Sequence, residues 1–201
     1  MSFPSDFWNQ RYGEAADYVY GTAPNVFFAQ QLQQLKPGKL LLPFEGEGRN
    51  AVWAASQGWE VACFDFSSTG RDKALQLAQK AGVTIEYTVS DFRKYDWKKQ
   101  HYDVVGLFYA HQPEESRKLL HAAVLETLEI GGILLLEAFS TAQLGKKSGG
   151  PQSLDMLYSA ELLHDDFAAL RNRVIQEELV MLDEGPGHRG EASVLRLAGM
   201  R

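Results

Sequence analysis

The stretch that most limits what this chain can become is residues 39–55, Lys-Leu-Leu-Leu-Pro-Phe-Glu-Gly-Glu-Gly-Arg-Asn-Ala-Val-Trp-Ala-Ala. Residues 40–42 are a short apolar run that reads as a buried strand. Glu45-Gly46-Glu47-Gly48 is a tight glycine-bearing turn. Residues 49–57 then have helical spacing, with Val52, Ala55 and Ser56 on one side and Gly58 as a stop. In a strand, glycine turn and helix, backbone N–H groups face a ligand at the helix N-terminus. Gly46 and Gly48 lack a Cβ, so a ligand can approach the main chain. On that reading Gly48→Val abolishes binding and barely changes the stability of the free protein. A second strand, residues 59–65, ends on Asp65, 17 residues beyond Gly48. An acid there can accept hydrogen bonds from two ribose hydroxyls, so the unit predicts nucleoside binding.

The rest of the chain repeats the alternation. A short helix is expected over residues 4–12, with Phe3, Phe7, Trp8 and Tyr12 as its apolar members. Asn25 is placed to cap a helix over 26–35, closed by Pro37-Gly38. Ser67 or Ser68 caps a third helix that runs to Gly82. Residues 83–89 form a third strand, followed directly by Asp91-Phe92, and residues 102–109 a fourth. Pro113 starts a helix over 114–128, with Leu119, Leu120, Ala123, Val124 and Leu128 on its apolar stripe. Gly131-Gly132 is expected to end it before a strand over 133–139. This order argues for a doubly wound, Rossmann-like α/β sheet. The end differs: a Gly/Ser/Lys-rich mobile loop over 140–153, a helix over 159–170 capped by Ser159, and a hairpin from 172–182 and 192–197.

Length and charge narrow the class. The 201 residues suit one α/β domain: a helical cap over 1–36, a ligand-binding core over 37–139, and the loop, helix and hairpin over 140–201. No run is apolar enough to span a bilayer, and the N-terminus has neither a basic flank nor an apolar signal region. A cytoplasmic protein without a membrane partner is expected. The net charge of −6 speaks against nucleic acid. The single Cys63 allows no disulfide framework, and the five histidines show no metal-ligand spacing, so no metal is expected.

Together these features resemble the class I S-adenosylmethionine-dependent methyltransferases over nearly the whole chain. Those enzymes have a seven-stranded sheet whose last strand is antiparallel, inserted by a terminal hairpin. Within the class, four segments are similar to the small bacterial branch that includes the tellurite-resistance methyltransferases and lies near the thiopurine methyltransferases. They are Phe7-Trp8-Asn-Gln-Arg11-Tyr12, Tyr20-Gly21-Thr-Ala-Pro24-Asn25, Gly46-Glu-Gly-Arg-Asn50 and Gly185-Pro-Gly-His188-Arg189-Gly190. The resemblance implies S-adenosylmethionine as cofactor. Glu45, Gly46, Glu47 and Gly48 would pass beneath its methionine and ribose parts. Asp65 would hold the ribose, and Phe66 would border the adenine. Asp91 would accept from the adenine amino group, with Phe92 beside the ring. Phe108 and Tyr109 would lie below the sulfonium and substrate. Arg11 and Tyr20 would close over the methionine carboxylate. His111 and the pair His188-Arg189 would reach the substrate from the fourth strand and the hairpin. Two positions depart from the pattern: Phe44 stands where the first motif glycine is common, and Leu42 where an acid is common.

Two alternatives stay open. Gly46-x-Gly48-x-x-Ala51 with Asp65 also satisfies the dinucleotide fingerprint, so an NAD(P) oxidoreductase competes. Phe44 and Leu42 leave room for a degenerate, non-catalytic protein of the same fold. The methyltransferase leads because of Asp91-Phe92, the terminal hairpin and the lack of a separate substrate domain. No catalytic carboxylate pair, nucleophile triad or metal cluster is visible. The substrate expected is a small molecule, with a thiol or chalcogen acceptor that needs no strong base, and the chain is expected as monomer or homodimer.

Overall fold

The computed structural model describes residues 5–201. Seven strands form one sheet in the order β3-β2-β1-β4-β5-β7-β6. β1 (Lys39–Pro43), β2 (Glu60–Asp65) and β3 (Glu86–Val89) pair in parallel, as do β4 (Tyr102–Phe108) and β5 (Leu128–Phe139). β7 (Arg189–Met200) runs antiparallel to both β5 and β6 (Arg171–Asp183). This is the mostly parallel α/β sheet with an antiparallel terminal hairpin that the element order predicts.

Contacts gather the chain into two compact units. One runs up to Tyr95 and adds Glu184–Gly187; the other comprises Asp96–Asp183 and His188–Arg201. The first unit holds α1 (Ser5–Glu14), α2 (Val26–Leu32), α3 (Arg49–Ser56) and α4 (Ser68–Ala81) with β1 to β3. The expected start of α1 at Pro4, and the part given to Phe3, lie outside the described residues. Leu40, Leu41 and Leu42 are wholly buried, as three successive apolar residues must be in a strand covered on both sides. The expected caps form: Asn25 accepts from the Phe28 N–H and Ser67 Oγ from the Gly70 N–H, while Gly82 closes α4 in the left-handed conformation. On α3 the buried residues are Arg49, Asn50, Ala51, Val52 and Ala54, and not Ser56, which is exposed.

The second unit holds α5 (Glu114–Thr127), α6 (Ala160–Asp166) and β4 to β7. Its core includes Leu107, Leu120, Val124, Leu135, Phe139 and Leu195. Leu119, expected on the buried stripe of α5, is exposed, and His121 is buried beside the stripe instead. The helix also stops earlier than its glycines suggest. Thr127 Oγ1 donates to the Trp97 carbonyl, and Leu128 turns extended to pair with Tyr102. Gly131 and Gly132 therefore lie within β5, where the register with β4 shifts. The segment 140–153, expected as a mobile loop, contains a short 3₁₀ turn and the buried Gln143, whose Oε1 accepts from the Ser193 N–H and whose Nε2 donates to Ser148. No helix among the described residues is long and apolar enough to cross a membrane.

Candidate active site

The first unit builds its turn from charges that face inward. Glu45 Oε1 accepts from the Ala51 N–H at 2.7 Å, so the carboxyl lies at the N-terminus of α3, where orphan N–H groups gather. Burial pushes its pKa up from 4.5 to about 7 against those stabilising bonds. Asp65, 5% exposed, accepts from the Ser67 N–H at 2.8 Å and the Gly46 N–H at 3.3 Å. Burial raises its pKa to about 6. Two neighbouring carboxyls thus titrate close to neutrality, and the charge of Asp65 adds to the rise at Glu45. A further backbone bond from Phe66 makes three, which leaves about one lone-pair site of the Asp65 carboxylate for another donor.

The two glycines of the turn are needed for reasons the sequence does not show. Gly46 has φ +58°, and a Cβ there would lie 2.6 Å from the Tyr12 hydroxyl; its carbonyl also accepts from Tyr87 Oη at 2.6 Å. Gly48 has φ +86°, and a Cβ there would lie 2.5 Å from the Ala74 Cβ on α4. The missing Cβ of Gly48 thus lets α4 pack against the start of α3. The expectation that Gly48→Val spares the free protein is corrected on this contact.

Phe44 takes φ +57°, the backbone conformation a glycine would adopt, and its ring leans on Phe64 and Phe92 with centroids 6.0 and 5.8 Å away. The departure from the motif therefore keeps the turn and adds an aromatic contact. Phe92 is buried and Phe66 half-buried. Asp91 is exposed; its Oδ1 accepts from the Arg93 N–H at 2.8 Å, and the Arg93 guanidinium lies over the Phe92 ring at 4.6 Å.

Arg11 lies 5.7 Å from the ring centroids of both Trp8 and Tyr20. Its Nε is buried and has no hydrogen-bond partner among the described residues. A buried guanidinium N–H without an acceptor is expensive unless an acceptor arrives.

Glu47 and Arg49 hold the chain around this turn. Glu47, 4% exposed, accepts from the Val19 N–H at 2.7 Å and from Lys73 Nζ at 2.7 Å. Arg49 forms a buried ion pair with Glu184 at 2.9 Å and reaches the Tyr20 carbonyl. Glu184 Oε1 also accepts from Asn25 Nδ2, and the Gly187 N–H donates to the Val19 carbonyl at 2.9 Å. Gly185 is fixed by crowding, since a Cβ there would lie 2.5 Å from the Gly21 nitrogen. So Glu47, expected under the cofactor, is committed to two protein partners.

In the second unit, Tyr109 ends β4 with φ +54°, a left-handed conformation that an aromatic residue adopts only under constraint. Its N–H donates to the Glu137 carbonyl and its hydroxyl to Glu137 Oε1 at 2.7 Å. Glu137, 1% exposed, is neutralised by Arg196 at 2.6 Å. His188 is buried and packs edge-on against Tyr109 and Phe139, with centroids 4.4 and 5.2 Å away. His111 stacks on the same Phe139. The structure thus brings His111 and His188 together, but not Arg189, whose side chain is 79% exposed and 4.0 Å from Asp183. Phe108 is buried at the end of β4.

His111, expected to reach the substrate, has both ring nitrogens engaged. Nδ1 lies 2.7 Å from the Met156 carbonyl, which can only accept, and Nε2 accepts from the Phe139 N–H at 3.2 Å. Both nitrogens are committed to the main chain, and burial lowers the pKa from 6.5 to about 4. The ring fixes the Met156 and Phe139 segments and stays neutral near pH 7. Sequence reasoning also missed a buried chain in which Arg117 and His121 bind Asp166 Oδ2 and His121 Nε2 meets the Tyr158 hydroxyl. Among the described residues no three His, Cys, Asp or Glu side chains are placed to hold a metal.

The matched region begins at this turn. Residues 45–132 match the model of a methyltransferase domain. Solved structures share its fold across nearly its full length. A protein described under the conversion of a disulfide bond into a thioacetal group during echinomycin biosynthesis superposes with a TM-score of 0.74 at 20% identity, covering 98% of this chain and 93% of that one. TehB from Haemophilus influenzae gives 0.72 at 16% identity, covering 98% of this chain and 66% of TehB. The N-methyltransferase NodS from Bradyrhizobium japonicum, solved with S-adenosyl-L-homocysteine, gives 0.69 at 11% identity, covering 98% of each chain. No curated protein matches the sequence. The expected methyltransferase, with S-adenosylmethionine as donor, is supported by the domain match over residues 45–132. Neither the oxidoreductase nor the non-catalytic alternative gains support.

Proposed function

We propose that this methyltransferase acts on a small-molecule thiol or chalcogen and binds S-adenosylmethionine in its first unit. The observation that carries the cofactor assignment is the buried Arg11 Nε without a partner, beside Tyr20. A carboxylate is the acceptor that would satisfy it, and the methionine part of the cofactor has one. Asp65 keeps about one lone-pair site for a ribose hydroxyl, and Phe66, Phe92 and Asp91 suit an adenine. Gly46 and Gly48 give the turn its shape, Glu45 fixes it at the start of α3, and Glu47 holds Val19 in place. When bound, the cofactor supplies an electrophilic methyl group on a sulfonium.

The acceptor assignment rests on the second unit. His111 has no uncommitted nitrogen, and Glu137 is committed to Tyr109 and Arg196. His111, its pKa lowered by burial to about 4, stays neutral near pH 7. Phe108, Tyr109, Phe139 and His188 offer apolar, polarisable surface instead. That suits an acceptor that is already a good nucleophile and needs only position and a dry site. The disulfide-to-thioacetal conversion under which the echinomycin relative is described supports a sulfur acceptor, and the likeness to TehB supports the tellurite-resistance-like branch.

Calorimetry tests the cofactor reading. S-adenosylmethionine should bind and NAD(P)H should not, and Asp65→Ala should weaken binding at least ~10-fold, the loss of about one bond to a charged group. Tighter binding of a nicotinamide cofactor, or unchanged affinity in a folded Asp65→Ala, overturns it. A second measurement separates the two hairpin residues. His188→Ala should slow turnover of a thiol ~10-fold or more with cofactor affinity unchanged, the upper range of one aromatic contact. Arg189→Ala, in an exposed side chain, should change neither. Equal loss in both variants would restore Arg189 as a substrate contact, and no loss in His188→Ala would remove His188.

A further inference from the structure

β6 is an unusual edge. It is the last strand in the sheet order, 13 residues long, and pairs only with β7 among the described residues. Natural edges are usually protected by short length, proline, lysine or bulges. β6 has no proline and no lysine. Its one irregularity lies between Arg171 and Val174, so Val174–Asp183 follows β7 without a shift. Along that stretch Val174, Leu179 and Met181 are 54, 69 and 75% exposed.

The charges along β6 are polarised. Arg171 and Arg173 stand at its start; Glu177, Glu178 and Asp183 occupy its later half. A second β6 running parallel would set like charges together. One running antiparallel can set Arg171 of each copy against Asp183 of the other, and opposite charges facing across strands are favourable. The strand is thus complementary to itself in one direction only, the direction a twofold axis imposes.

We propose that β6 pairs antiparallel with β6 of a second copy of this chain, joining two sheets edge to edge. The register that brings Arg171 toward Asp183 also sets Val174 opposite Val180 and Ile175 opposite Leu179. It leaves Glu177 on the axis, facing its own copy. The pairing satisfies the outward N–H and C=O groups of the edge and covers Leu179.

The position of Glu177 makes the test specific. The native Cys63 is buried, so Glu177→Cys carries one exposed thiol. Cα atoms facing across antiparallel strands lie ~4.5–5.5 Å apart, within reach of a disulfide. The full chain should show twice its 22.5 kDa mass by light scattering at micromolar concentration. Under mild oxidation Glu177→Cys should cross-link about 100-fold faster than Leu119→Cys on the exposed face of α5, because pairing raises the local thiol concentration toward millimolar. Leu179→Lys, at an exposed site that should not disturb folding, should return the single-chain mass. Glu177→Gln should tighten the dimer by removing the like-charge contact. A single-chain mass throughout the micromolar range, or equal cross-linking of the two cysteine variants, overturns the proposal. The first result would leave the edge to an extended peptide of another protein.

Discussion

Gly48→Val should destabilise the ligand-free protein by roughly 4 kcal/mol or more, a large share of the ~5–15 kcal/mol that holds a domain together. Two independent penalties add. The residue would have to keep φ +86°, which a β-branched side chain rarely adopts. Its Cβ would meet the Ala74 Cβ at 2.5 Å and Cα at 2.9 Å. Ala74 is wholly buried in the middle of α4 and cannot rotate away. Urea denaturation followed by circular dichroism measures the effect. A companion pair separates the penalties: Ala74→Gly should rescue part of the loss in Gly48→Ala, since it removes the clash and leaves the backbone strain. A wild-type midpoint for Gly48→Val would show that α3 and α4 are not packed as described.

Glu45→Gln should stabilise the protein at pH 8.5 and leave it unchanged at pH 4.5. The folded-state pKa of Glu45 is raised from 4.5 to about 7, chiefly by burial. The fold therefore favours the protonated carboxyl. The stability this contributes is fully present below the unfolded value and is lost as pH rises through about 7. Glutamine does not ionise, and its amide oxygen can still accept from the Ala51 N–H. The gain approaches ~3 kcal/mol from the full shift; the part of Glu45 open to solvent screens it, so about 1–2 kcal/mol is expected, a few degrees in Tm for a chain of this size. Comparing variant with wild type at each pH matters, because His111 works in the opposite sense. Its pKa is lowered to about 4, so its contribution is lost as pH falls from 6.5. A melting-temperature difference that is the same at both pH values would mean that Glu45 is ionised throughout.

The sequence made local features legible because their causes are local. The caps at Asn25, Ser67 and Ser159 need only a side-chain oxygen three residues before an N–H. Asp65 is placed at a strand end by the period of the strand itself. The hairpin shows in two β-rich runs around a glycine turn. What stayed hidden depends on partners far along the chain. Gly48 looked like a ligand approach because Ala74 is its neighbour only in space. Glu47 looked like a cofactor contact because nothing near it in sequence shows that Val19 and Lys73 will claim its oxygens. His111 looked like a free substrate contact because hydrogen bonds to main-chain groups at 139 and 156 carry no sequence signal. The start of β5 was placed too late, at 133, because Leu128 already pairs with Tyr102 ahead of the glycines.

The ion pair between Arg49 and Glu184 also sets a timetable for synthesis. Its partners are 135 positions apart, and the first unit includes Glu184–Gly187. At ~5–20 residues per second a ribosome releases Arg49 roughly 7–27 seconds before Glu184. Through that interval the nascent first unit has its strands, its glycine turn and Glu47 with Lys73, but Arg49 and Asn25 lack their carboxylate and Val19 lacks the Gly187 N–H. The half of the molecule made first is completed only when the last turn of the chain arrives.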